Sequence, residues 1–306
     1  MKTKKIKFIA IFALAVLIIP SQLVFALQMP QSSSDLADMY GINAQAYVVE
    51  DVKTGQILVG KNMDMPWTPA SLTKLVTALV VLDTKPKLTR VVSMTSADQI
   101  AGACNAGGAC VKAASGVRFT IDGLFHAALM PSANNAANAL ARSTGLSQQK
   151  FVARMNAKVK ALGAANTSFH EPTGMDPNNK TTAADYAKIV TAAFTNSYLR
   201  KIAQTSAYTL RSTNNRKYTQ LIKNSDKLLT TGPSRIQMLG AKTGYLDESQ
   251  YNFAALLKYD GGSDLAVVVL GEPHLYIAFD ETKTLAKLAT EARDLAAANL
   301  ISLTAN

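Results

Sequence analysis

The strongest constraint on this chain is a hydrophobic period that changes twice. AQAYVVEDVKTGQILVGKN, residues 44–62, reads as two strands around a turn at Thr54-Gly55. From residue 69 to about 205 the pattern is largely helical, in TPASLTKLVTALVVLD, FTIDGLFHAALM, ANNAANALARS, SQQKFVARMNAKVKALG and TAADYAKIVTAAF. Gly163 marks a helix stop, and Thr182 an N-cap with Asp185 in the capping-box position. Near 206 the strand period returns in SAYTLRS and KYTQLIKN, joined by a turn at Asn214-Asn215. IQMLGAKTGYL, YNFAALLKYD and DLAVVVLGE follow, with Asp260-Gly261-Gly262 as a turn signal, and a helix closes the chain at about 277–299. Strands at both ends with helices between predict an α+β fold. An antiparallel sheet from residues 44–68 and about 206–300 is flanked by helices, and a mostly helical lobe, about 69–205, is inserted into it. The active site is expected in the cleft between.

The first 26 residues stand apart. Lys2, Lys4, Lys5 and Lys7 precede the apolar run FIAIFALAVLII, and Val24-Phe25-Ala26 fits cleavage after Ala26. This is the pattern of a secretory signal peptide, with an uncleaved anchor as the rival reading. Residues 27–43 are a polar lead-in, and residues 44–300 form the expected folded domain. The formal charge is +11, four of those positives lie in the leader, and no dense basic stripe carries interleaved aromatics. Nucleic acid is therefore not expected as a partner, and an anionic envelope polymer or anionic substrates are. Export also permits a disulfide, for which Cys104 and Cys110 in AGACNAGGACVK are the candidates, two free thiols being the alternative. Two cysteines and the dispersed His126, His170 and His274 do not make a metal site, and no cofactor is called for.

No Ser-His-Asp arrangement stands out, so a base other than histidine is sought. Lys74 interrupts an apolar run three residues after Ser71, and on a helix the two share a face. Thr68 as N-cap and Pro69 as first helical residue would put Ser71 in the first turn, where its N–H is free for a developing oxyanion. Desolvation by Leu72, Leu75, Val76 and Leu79, or a second nearby cation, would keep Lys74 neutral enough to take the serine proton. Ser132 and Asn134, in LMPSANNAANALA, lie where two helices meet and can project into a cleft. Lys242-Thr243-Gly244 lies on a strand, where a cation and a hydroxyl can hold a carboxylate and a glycine lets substrate backbone approach the edge. Each motif has a decoy copy: Ser147/Lys150 on a polar helix surface, Ser212-Thr213-Asn214 and Lys53-Thr54-Gly55 in hairpin turns. Order and context single out the first set.

Those motifs resemble the low-molecular-mass penicillin-binding proteins, serine D-alanyl-D-alanine carboxypeptidases and endopeptidases. MNAKVKALGAANTSFHEPTGMD, TTAADYAKI, KNSDKLL and KTGYLDESQYNFAA extend the resemblance from about 44 to about 290. It implies the two-lobed β-lactamase/penicillin-binding-protein fold and an acyl-enzyme on Ser71 formed from peptidoglycan stem peptides ending in D-Ala-D-Ala. It also implies β-lactams as covalent inhibitors. Lys74 would be the base, and Ser132 would pass a proton to the leaving amine. Asn134 would hold substrate and Lys74, Lys242 and Thr243 would bind the terminal carboxylate, and the N–H groups of Ser71 and Tyr245 would form the oxyanion hole. Tyr245 stands where the family often has histidine. The C-terminal β-domain and membrane tail common in the family are not expected here. Glu171, where the family often has asparagine, opens a β-lactamase reading. Carboxypeptidase is the leading function and D,D-endopeptidase the alternative. β-Lactamase and a non-catalytic peptidoglycan-binding envelope protein come after.

Overall fold

A computed structural model describes residues 37, 40–101, 104, 108–215, 217–227, 236–259 and 262–304, with side chains to residue 293. The expected leader, residues 1–26, most of the lead-in, and Asp260-Gly261 of the expected turn lie outside the described residues.

Five strands form the main sheet: β1 (Ala46–Asp51), β2 (Ile57–Lys61), β7 (Ile236–Leu246), β8 (Gln250–Tyr259) and β9 (Leu265–Glu272). Their order is β2-β1-β9-β8-β7 and every neighbouring pair is antiparallel. Strands from the two ends of the chain therefore share one sheet, joined where Ala46 of β1 faces Leu270 of β9. Strand side chains alternate between faces, and here both faces are covered. Tyr47, Val49, Phe253, Ala255, Val267 and Val269 pack with Phe279, Leu285 and Leu288 of the closing helix α8 (Leu275–Thr304). Ala46, Val48, Ala254, Leu256, Ala266 and Val268 pack into the large core built by the other helices. Double burial explains the nearly unbroken apolar run of β9.

The helices of the lobe are α1 (Thr73–Asp83), α2 (Ser96–Ala101), α3 (Ile121–Leu129), α4 (Asn134–Ser143), α5 (Gln148–Ala161), α6 (Ala183–Thr195) and α7 (Ser197–Ala203), and all but α2 contribute to that core. Every residue of α1 from Thr73 to Val81 is buried, so this helix is the axis around which the others pack. Thr182 does cap α6 by accepting from the Asp185 N–H, and Gly163 follows α5 at φ +77°. The Asp185 carboxylate does not complete a capping box: it accepts from Asn166 N and Thr167 Oγ1 and ties down the preceding loop.

Two small sheets stand apart from the main one. The hairpin β5 (Ala207–Arg211) and β6 (Thr219–Lys223) has its turn near Asn214-Asn215 as read, but it was expected in the main sheet and instead forms its own two-stranded sheet, with Leu210 and Ile222 packed into the helical core. The pair β3 (Val91–Ser93) and β4 (Arg118–Thr120) lies inside the stretch read as helical. Each of those strands is three residues long, too short to show a period.

Leu256 is fully buried at the sheet–helix boundary. Leu256→Ala is expected to lower stability by about 2–5 kcal/mol, read by urea unfolding.

Candidate active site

The nucleophile candidate does not sit on a helix in the way the sequence implied. Ser71 lies in a 3-10 turn, Ala70–Leu72, and α1 begins only at Thr73. Thr68 caps nothing: its Oγ1 donates to Pro177 O and accepts from Lys180 Nζ. The turn is held from outside instead. Ala70 takes φ +50°, an unfavourable region for a side-chain-bearing residue. Gly174, at φ +89°, presses against it so closely that a Cβ there would lie 1.8 Å from Ala70 O. From the other side Gly244 of β7 leaves no room for a Cβ, which would meet Pro69 O at 2.8 Å. The glycine was read as space for substrate backbone; its missing Cβ makes room for the serine turn, and Gly244 also lines the cleft.

Ser71 and Lys74 still come together, because one helical turn separates them. Lys74 Nζ donates to Ser71 Oγ at 2.8 Å and to Thr173 O at 2.6 Å. Lys74 is 1 % exposed. Burial pushes its pKa down to about 7, and the charge of Glu171 pulls the other way. A neutral amine that donates to the Thr173 carbonyl keeps its lone pair for the Ser71 hydroxyl, which is the geometry a general base needs.

A second lysine–serine couple faces the first. Lys242 on β7 is buried, and its Nζ donates to Ser132 Oγ at 2.8 Å and to Thr243 O at 2.9 Å. Burial, reinforced by the charge of Lys74, lowers its pKa well below the usual lysine value, and Asp226 opposes the shift. Ser132 is not an N-cap: Ala133 holds that place, and Ser132 takes φ +65° in the link between α3 and α4. Such backbone strain persists only where surrounding structure enforces it. Here Asn134 N donates to Ala109 O at 2.6 Å, beside the disulfide Cys104–Cys110. The cysteine pairing expected from the sequence is therefore present, and it clamps the rim of the site.

Ser71, Ser132, Asn134, Thr243, Gly244 and Tyr245 line one open cleft of about 570 Å³, with Lys74 and Lys242 buried behind it. The sequence missed Thr173, Ser225 and Met175. The first supplies the carbonyl for Lys74, the second shares a 2.7 Å hydrogen bond with Thr243 Oγ1, and the third lines the cleft. The decoys proved to be local structure. Ser147 caps α5 beside exposed Lys150. Asp51 Oδ1 fixes the turn of Lys53 and Thr54, and Ser212 Oγ that of Asn214 and Asn215. His126 stacks on Tyr208 at 3.9 Å, away from the cleft.

The profile of one family, described as D-alanyl-D-alanine carboxypeptidase, matches residues 31–274. The chain belongs to that family. It is 34% identical over 230 residues to a D-alanyl-D-alanine carboxypeptidase of Mycobacterium tuberculosis, covering 74% of each chain. It is 30% identical to a D-alanyl-D-alanine endopeptidase of Haemophilus influenzae, covering 71% of each. Its fold is that of the Streptomyces K15 DD-transpeptidase, with TM-score 0.75 and 26% identity over 82% of this chain and 98% of that one.

Within this family of serine enzymes Glu171 needs its own account. Its Oε1 accepts from the N–H groups of Gly174 and Met175 and from Asn179 Nδ2, and its Oε2 from Thr173 N and Oγ1. Both oxygens are committed to folding the loop that carries Thr173 O and Gly174, so the β-lactamase role has no free lone pair to start from. Glu171→Gln introduces an N–H₂ among these donors. It is expected to slow acylation of Ser71 by a β-lactam at least about tenfold, rather than to slow only the release of the acyl group. Stopped-flow acylation and release rates, measured separately, check this.

Proposed function

We propose that the protein is an exported serine D-Ala-D-Ala carboxypeptidase of the cell envelope, acting on peptidoglycan stem peptides through an acyl-enzyme on Ser71. The observation that carries this reading is the buried Lys74 amine, 2.8 Å from Ser71 Oγ and with a pKa near 7. Lys74 takes the Oγ proton as Ser71 attacks the carbonyl carbon of the penultimate D-alanine. The N–H groups of Ser71 and Tyr245 stabilise the oxyanion, a contribution usually worth several kcal/mol. Ser132 passes a proton to the departing D-alanine amine, and Asn134 holds the substrate amide. Thr243 receives the terminal carboxylate with Lys242 behind it. Burial and the charge of Lys74 lower the pKa of Lys242, so an arriving carboxylate supplies the countercharge that restores its proton. Water then releases the acyl group. The leader at 1–26 and the Cys104–Cys110 disulfide both support an oxidising destination outside the cytoplasm. β-Lactams are the matching covalent inhibitors.

A second reading, cleavage of D-alanyl cross-links, is favoured by the relative named an endopeptidase. Incubation with a pentapeptide and with a cross-linked muropeptide dimer separates the two. Free D-alanine from the first identifies the carboxypeptidase, and monomers from the second identify the endopeptidase.

A fluorescent penicillin is expected to label Ser71 and to be released slowly. Ser71→Ala abolishes the label, whereas Ser147→Ala leaves it. Absence of label on folded wild-type protein overturns the mechanism.

The pH profile follows from Lys74. Its neutral form is the active one, and its pKa is lowered to about 7. The acylation rate is therefore expected to fall about tenfold per pH unit below that value and to level off above it. A rate still climbing tenfold per unit between about pH 8 and 10 would indicate an amine of ordinary pKa and remove the base from the scheme.

A further inference from the structure

The positive charge of the chain beyond its leader is lopsided. Residues 69–205, the helical lobe, hold 15 Lys and Arg against 6 Asp and Glu, whereas segments 44–68 and 206–300 together hold 13 of each. Such asymmetry between parts of a chain points to a polyanionic partner for the basic part. The helix that concentrates the charge is α5, which carries Lys150, Arg154, Lys158 and Lys160 and no acid.

Lys150, Arg154 and Lys158 recur every four residues, so they share one face at intervals of about 6 Å along the axis. Exposed Ala153, Ala157 and Ala161 run beside them, too short to hold a ligand away. The helix dipole favours Lys158 and Lys160 in the last turn but opposes Lys150 in the first, where a negative charge would be stabilising. Helix stability therefore does not explain the row. Lys150, Arg154 and Lys160 carry no ion pair among the described residues, and Lys158 meets Asp83 at 3.0 Å. That bridge ties α5 to the end of α1, after which exposed Lys85, Lys87 and Arg90 extend the basic surface. Asp83 is the only acid in residues 83–90 and 148–161. Lys74 stands near the opposite end of α1, about 14 Å from Asp83 along the axis. The surface is thus remote from the cleft, and a partner held there leaves the cleft open.

The form of the surface selects the partner. Binding to a bilayer face combines cations with inserted apolar side chains, and none of the exposed large apolar side chains lies on α5. A narrow row of single charges fits a linear chain with one charge per repeat. We propose that α5 and residues 85–90 form a docking surface for a linear envelope polymer whose backbone carries phosphodiesters. This goes beyond the acyl-enzyme reading and does not depend on it.

The probe is fluorescent poly(glycerol phosphate), with binding to the protein followed by anisotropy over a salt series. The variant Lys150→Gln/Arg154→Gln/Lys160→Gln keeps good helix formers at all three positions. Its Kd is expected to rise about tenfold or more, and the slope of log Kd against log salt to fall by about 2, as for three cations withdrawn from a single-stranded phosphate chain. Lys53→Gln/Lys258→Gln/Lys287→Gln removes the same charge from exposed positions on the main sheet and α8, and is expected to change Kd less than about threefold. Thermal unfolding and the rate of labelling by fluorescent penicillin stay at wild-type values in both variants, which separates lost docking from lost fold. Absence of label in the wild type as well would sink the acyl-enzyme reading and leave the docking result standing. Equal weakening in the two triple variants reduces the effect to net charge and overturns the proposal, as does a wild type that does not bind or a Kd unmoved by the α5 variant. Tighter binding of the wild type to phosphatidylglycerol vesicles than to the polymer, at equal phosphate, overturns it in favour of a membrane.

Discussion

Keeping one amine out of water is the condition on which the rest of the site depends. Lys74 lies on a deeply buried helix, and its amine donates to Ser71 Oγ and to the Thr173 carbonyl. Taking an ammonium into such surroundings costs several kcal/mol, so the group resides near its neutral form, where its lone pair is available. The Thr173 carbonyl is in turn aimed by a loop that the Glu171 carboxylate folds, and Gly174 of that loop presses on the turn carrying Ser71. Lys74, Ser71 and the loop are one packed unit. A side chain a hundred residues away in sequence sets the attitude of the serine.

Lys242 repeats the arrangement from the opposite wall, with Ser132 as its hydroxyl partner. The two amines feel each other's charge, so a second proton is harder to bind than the first. A substrate that brings a carboxylate changes that balance, and one that lacks it does not. On the proposed mechanism, recognition of the chain terminus and readiness of the leaving-group proton are linked through the same buried nitrogen.

Much of this was legible in the chain itself. The two-fold change of period foretold the sheet shared by both ends, and Lys74 was conspicuous as a charge in an apolar run. Context separated Lys74 from Lys150, since only the first has neighbours able to desolvate it. What escaped was what depends on backbone groups. Glu171 opened a β-lactamase reading because it stands where the family often has asparagine, while its partners, mainly N–H groups of its own loop, are announced by no residue pattern. That Gly244 also makes room for the turn carrying Ser71 was hidden, because sequence does not say which neighbour packs against a glycine. Thr68 had every local mark of an N-cap, yet its hydroxyl found partners more than a hundred residues away. β3 and β4 were too short to carry a period.

The pairing of β1 with β9 has a consequence for the order in which the molecule assembles. Ala46 meets Leu270 across more than two hundred residues of intervening chain. Loop closure over such a span comes late and slowly. Until the last third of the chain is present, the β1–β2 hairpin therefore has the edge that β9 will cover unpaired. An unpaired strand edge is a template for another chain.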